Sequence, residues 1–105
     1  MDFHEYSKRA LRTASISGSV NQELAVCGLG LAGETGEVVE LLKKHIAHGK
    51  PCDPRKLEDE LGDVLWYLNR VASLFGLELE KIARRNVAKL EARYPDGFVK
   101  GGGIR

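Results

Sequence analysis

Long apolar runs, prolines and an excess of either charge are scarce in this chain, and each scarcity removes a class of protein. No apolar stretch approaches the ~18 residues a membrane-spanning helix needs. The formal net charge is +1 over 105 residues, which gives no electrostatic case for binding nucleic acid or a membrane surface. Two cysteines, Cys27 and Cys52, lack metal-ligand spacing and secretory context, so both are expected to be reduced thiols. The acidic start, Met1-Asp2-Phe3-His4-Glu5, does not resemble a signal peptide; a cytoplasmic location is the expectation. Prolines stand only at 51, 54 and 95, leaving long stretches free to be helical. The length fits one domain, expected over residues 1–98, and Gly101-Gly102-Gly103 implies a flexible tail over 99–105.

What is present is helical periodicity. Phe3, Tyr6, Ala10, Leu11 and Ala14 give a short first helix, ended by the segment from Ser15 to Ser19. Asn21 is an expected N-cap for a long amphipathic helix from Gln22 to about Ile46, carried by Leu24, Cys27, Leu31, Val38, Leu42 and Ile46. Asp53-Pro54 starts a third helix, with Leu57, Leu61, Val64, Leu68, Val71 and Phe75 as its stripe and Gly76 as its left-handed end. Leu79, Ile82, Ala83, Val87 and Leu90 carry a fourth, to about Arg93. No alternating strand pattern stands out. The expected fold class is all-α, a four-helix-bundle-like arrangement.

Between Gly33 and Asp63 lie two carboxylate pairs, Glu34 with Glu37 and Glu60 with Asp63. Residues three apart share a helix face, and two antiparallel helices would bring both pairs together. Glu34 falls within the apolar stripe of its helix, Glu60 beside that of its own, and Glu37 and Asp63 at the borders. Acids turned toward a core are costly unless paired or metal-bound, and no basic residue is in phase with them. Crowded carboxylates raise one another's pKa; their hard oxygens suit Mg²⁺, with Mn²⁺ as substitute. A metal site for phosphate chemistry follows. Gly30, Gly33, Gly36 and Gly62 cost about 1 kcal/mol each in helix propensity, which implies close helix approach or room for a ligand. On the fourth helix Asn86 falls in mid-stripe, with Lys89 and Arg93 on its flank; a buried Asn would serve a loop or, with those cations, a sugar or phosphate.

Two motifs fail. Gly28-Leu29-Gly30-Leu31-Ala32-Gly33 has the letters of a dinucleotide fingerprint but lies in a helical pattern with no strand before it. His45, His48 and Cys52 supply three zinc-type donors and no fourth, so a helix-end and loop role is expected.

Glu34-x-x-Glu37, twenty-two residues, then Glu60-x-x-Asp63 resembles the signature of the all-α nucleoside triphosphate pyrophosphohydrolases, and of the MazG-like group in particular. The likeness extends through Gly30-Leu-Ala-Gly-Glu-Thr-Gly-Glu-Val38, Glu60-Leu-Gly-Asp-Val-Leu-Trp-Tyr67 and Asn86-x-x-Lys89-Leu90-x-x-Arg93-Tyr94, covering most of the region from about Tyr6 to Phe98. The resemblance implies Mg²⁺-dependent hydrolysis of a (deoxy)nucleoside triphosphate to monophosphate and pyrophosphate, for nucleotide-pool house-cleaning or control. It implies Glu34, Glu37, Glu60 and Asp63 as metal ligands, with Glu34 or Glu37 acting on the attacking water. Asn86, Lys89 and Arg93 would hold the nucleotide, with Trp66 and Tyr67 either stacking on a base or packing. It also implies a homo-oligomer, dimer or tetramer, that completes the bundle. Phosphoribosyl-ATP pyrophosphohydrolase is the alternative within the superfamily. A non-catalytic helical module binding nucleotide or protein is the alternative outside it.

Overall fold

The computed structural model describes residues 1–15 and 18–97; the expected tail at 99–105 lies outside them. Four α-helices follow one another: α1, Phe3–Ala10, continued by a 3₁₀ turn at Leu11–Thr13; α2, Val20–Ala47; α3, Pro54–Leu74; and α4, Leu79–Arg93. Among the described residues there is no strand beyond an isolated bridge between Pro95 and Gly97. The all-α expectation holds, and so do the helix count and order.

Local chemistry sets the boundaries. Asp2 caps α1, its carboxylate accepting from the Glu5 amide at 2.8 Å. The cap of α2 is Ser19 rather than Asn21. Ser19 Oγ accepts from the Gln22 amide (3.1 Å) while Gln22 Oε1 accepts from the Ser19 amide (2.8 Å), and this reciprocal pair outcompetes a single side chain two residues on. Asp53 caps α3 with proline at its first position, as expected. Gly76 ends α3 with φ +68°. Its amide and that of Leu77 return to the Ser73 and Ala72 carbonyls (3.1 and 2.9 Å), a Schellman turn that reverses the chain into α4.

Helix α2 packs along α3, while α1 packs on α4 and α4 also touches α3. The α2–α3 connection folds back along the last turn of α2. The Lys50 amide donates to the Lys44 carbonyl (3.3 Å), and His45 Nδ1 lies 3.0 Å from the Lys50 carbonyl. His45 thus has the helix-end role expected of it.

The interior is thin. Among the described residues the buried apolar side chains are Cys27, Ala72 and Leu79, joined by two polar ones, Asn69 and Arg70. Arg70 Nε meets Glu23 Oε1 at 3.3 Å, with the two side chains only 9% and 13% exposed. Cys27 Sγ donates to the same oxygen at 3.7 Å, and Arg70 Nη1 to Ser73 Oγ at 3.4 Å. This polar seam joins α2 to α3. Burial, followed by the Glu23 charge, pushes the Cys27 thiol pKa up. Arg70 also corrects the expectation that no basic residue is in phase with the acids. It lies seven residues beyond Asp63, nearly the same direction on the helix, and its charge is engaged by Glu23 instead.

Candidate metal centre

The α2–α3 pairing brings three of the four expected acids together. Glu34, Glu60 and Asp63 each place a carboxylate oxygen within 4.8 Å of the others. Glu34 and Glu60 are half-buried and Asp63 is exposed. Glu37 is exposed and outside this trio, yet close enough for its charge to act on Glu34. Partial desolvation, then the charges of Asp63 and Glu60, a hydrogen bond with Glu60 and the charge of Glu37, together hold the Glu34 carboxyl above its ordinary 4.5. The group is short of positive charge.

The donor set fits a hard divalent cation: three oxygen donors on two helices, with an edge open to solvent. Glu34, Glu60 and Asp63 would each offer such an ion one carboxylate oxygen. Hard oxygen ligands do not distinguish Mg²⁺ from Mn²⁺.

Trp66 and Tyr67 complete the wall of the acidic pocket with Glu34 and Asp63. Their rings meet edge to face at 5.1 Å. Gly30 makes this possible, since a Cβ there would overlap the Tyr67 ring. Close helix approach therefore explains Gly30; Gly33, Gly36 and Gly62 face open space within the chain. The Trp66 indole N–H is committed to α1 and its 3₁₀ extension, donating to Thr13 Oγ1 (3.0 Å) and the Ala10 carbonyl (3.2 Å). Asn69 adds a second tie, its Nδ2 to the Ser7 carbonyl at 3.5 Å. These bonds hold α1 beside the acids. Burial and then the Asp63 charge push the Tyr6 hydroxyl pKa up.

The α4 candidates lie elsewhere. Asn86 is exposed rather than buried. The reason is that α4 packs through Leu79 and Ala83, leaving Ile82, Val87 and Leu90 uncovered. Asn86 and Lys89 line a separate depression with Ile82, Arg85 and Ala88, and Arg93 is exposed at the end of α4. No residue lining that depression lines the acidic pocket. Sequence reasoning missed Tyr6, Glu23, Asn69 and Arg70. Only Glu23 and Arg70 carried a signal, as opposite charges each on the inward side of its helix. Among the described residues no metal-type grouping includes His45, His48 or Cys52.

Residues 22–98 match the family model of the MazG nucleotide pyrophosphohydrolase domain. The Gene 37 protein of Mycobacterium phage L5 is 32% identical over 84 residues, covering 76% of this chain and 74% of that protein. No solved structure matches at a significant level. With Glu34, Glu60 and Asp63 gathered within 4.8 Å of one another and the family model spanning α2 to α4, the chain belongs to the MazG nucleotide pyrophosphohydrolase family.

Proposed function

We propose that the chain hydrolyses a (deoxy)nucleoside triphosphate to the monophosphate and pyrophosphate with Mg²⁺, in nucleotide-pool house-cleaning or control. The observation that carries this is the trio of Glu34, Glu60 and Asp63, two of which, Glu34 and Asp63, line a pocket with Trp66 and Tyr67, in a chain of this family. Glu34, Glu60 and Asp63 would hold the cation. A bound divalent cation supplies neutralisation of phosphate charge and acidification of a water. Glu37, one turn from Glu34 and open to solvent, has no ion-pair partner among the described residues and would orient that water or accept its proton. The raised Glu34 pKa favours cation binding once Glu34 is ionised, because neighbouring carboxylates then repel until a positive charge enters. Trp66 has committed its N–H, so its contribution to a nucleotide is through the ring.

The functional unit is a homo-oligomer. The chain buries few apolar side chains, while Leu29 (75% exposed), Ile46 (80%) and Phe75 (64%) stand open with Val26, Val39, Leu61 and Leu68 on the α2–α3 pair. Scattered exposed apolar residues are ordinary, but this many on two packed helices fit a surface covered by a second copy. Such a copy is also what could bring Asn86, Lys89 and Arg93 of one α4 to the acids of another chain.

The test is pyrophosphate release across ribo-, deoxyribo- and modified nucleoside triphosphates and phosphoribosyl-ATP, with Mg²⁺ and with chelator. Release is expected only with the cation. Asp63→Asn and Glu37→Gln should each lower kcat by about 100-fold or more, with helicity retained. Full activity in both variants, or metal-independent turnover, refutes the assignment.

A further inference from the structure

Beside the acidic pocket lies a second cavity of opposite character. It has a volume of about 640 Å³ and is lined by Met1, Tyr6, Arg9, Ala10, Arg12 and Thr13, within the size range of small-molecule sites. Its lining contains two guanidinium groups and no carboxylate. The two cavities share a partition: Trp66, which walls the acids, donates its indole N–H to Ala10 and Thr13, which wall the basic cavity. Arg12 stands between those two anchored residues. The Thr13 hydroxyl also donates to the Ala10 carbonyl at 2.8 Å, closing the 3₁₀ turn that carries Arg12. The turn is therefore fixed to α3 at the edge of the acid pocket.

The two arginines differ. Arg9 Nη1 is drawn to Glu5 at 3.8 Å and to the Met1 sulfur at 4.0 Å. Arg12 has no carboxylate partner among the described residues. A guanidinium with an unengaged fork, on a braced turn, is suited to bidentate capture of a phosphate. A triphosphate whose metal-binding oxygens sit at the acids still carries negative charge on its remaining phosphates, and the cationic surface that adjoins the acids in this chain is that of Arg12, not that of Lys89.

We propose that Arg12, supported by Arg9, forms the phosphate-tail site for the substrate held at Glu34, Glu60 and Asp63. This rests on the reading of those acids as a triphosphate site. It assigns the tail to α1 and its 3₁₀ turn, and leaves α4 to contact other parts of the nucleotide.

The experiment is calorimetric titration of the full chain with inorganic tripolyphosphate, with and without Mg²⁺, which reads phosphate binding without a base or turnover. Arg12→Gln should weaken binding about tenfold, as expected for losing a charge-assisted hydrogen bond at an open site. Arg12→Lys should recover part of the loss through its charge without the fork. Lys43→Gln, an exposed cation of α2 that lines neither cavity, should stay within about twofold of the parent. Retained affinity in Arg12→Gln, an equal loss in Lys43→Gln, or no binding by the parent overturns the proposal. A chain that binds tripolyphosphate through Arg12 yet hydrolyses no triphosphate overturns the activity and leaves the anion site standing.

Discussion

Removing the Arg70 guanidinium should destabilise the chain more than removing any exposed charge, and the size of the effect follows from the geometry of its ion pair. At 3.3 Å and an effective dielectric of about 20, the attraction between Arg70 and Glu23 is about 5 kcal/mol. Desolvation of both groups offsets much of it, since their side chains are only 9% and 13% exposed. Arg70→Met keeps the aliphatic volume but strands the Glu23 carboxylate beside Cys27. The expected loss is about 3–4 kcal/mol, the usual cost of a buried charge that loses its partner. Glu23→Leu strands the guanidinium, which still reaches Ser73 at 3.4 Å; a smaller loss of about 2–3 kcal/mol is expected. The double variant has no stranded charge and should lose only about 1 kcal/mol. The assay is urea unfolding of the four proteins at one fixed chain concentration, because association shifts apparent stability, with slopes compared as well as midpoints. Additive losses, so that the double variant falls by the sum of the singles, would refute the claim that this pair joins α2 to α3.

Gly30→Ala should be destabilising by about 1–3 kcal/mol despite the helix-propensity gain, because the new Cβ displaces the Tyr67 ring; thermal unfolding checks this, and a rise in Tm contradicts it. For the metal-free chain, the raised Glu34 pKa means that the folded state holds its proton to higher pH than the unfolded state. That stabilising contribution is fully present below the unfolded carboxylate pKa and disappears as pH rises through the folded one. Tm measured from pH 4 upward in chelator should show this decline, Mg²⁺ should suppress it, and Glu34→Gln should remove it. Cys27 is 1% exposed, with its thiol pKa pushed up. A maleimide or disulfide reagent should therefore label half-buried Cys52 first and reach Cys27 only on unfolding; rapid labelling of both sites contradicts the buried seam.

Much of the fold was legible because its signals are local. Asp53-Pro54 and Gly76 each do the work of a boundary through their own backbone chemistry, and apolar periodicity marks an inward face without reference to any partner. Ser19 with Gln22 is equally local, a capping box in plain letters, though Asn21 two residues on is also a good capping residue. What stayed hidden depends on how helices are set against one another. Glu23 and Arg70 are 47 residues apart, and Trp66 meets Thr13 across 53; periodicity says which way a side chain points, not which one it meets. Asn86 shows the opposite limit. Its spacing sets it among Leu79, Ala83 and Leu90, but burial requires something to cover that stripe, and within one chain α4 is only partly covered. The acid trio was accessible because spacing and phase both converged on it, while the exclusion of Glu37 turns on a rotation that spacing alone leaves open.

The fold-back of the α2–α3 connection has a consequence for how this architecture tolerates changes of length. Glu34 stands thirteen residues before the end of α2, about 20 Å along the axis, whereas Glu60 is six residues past the start of α3, about 9 Å. The returning segment at Lys50 takes up that difference, so it works as slack while the helices act as two rulers laid side by side. Residues added within the slack leave both rulers in place. One residue added to α2 between Cys27 and Glu34 turns the carboxylate about 100° and shifts it about 1.5 Å against α3. The graduations of the site are thus engraved on the helices, and the loop between them is blank.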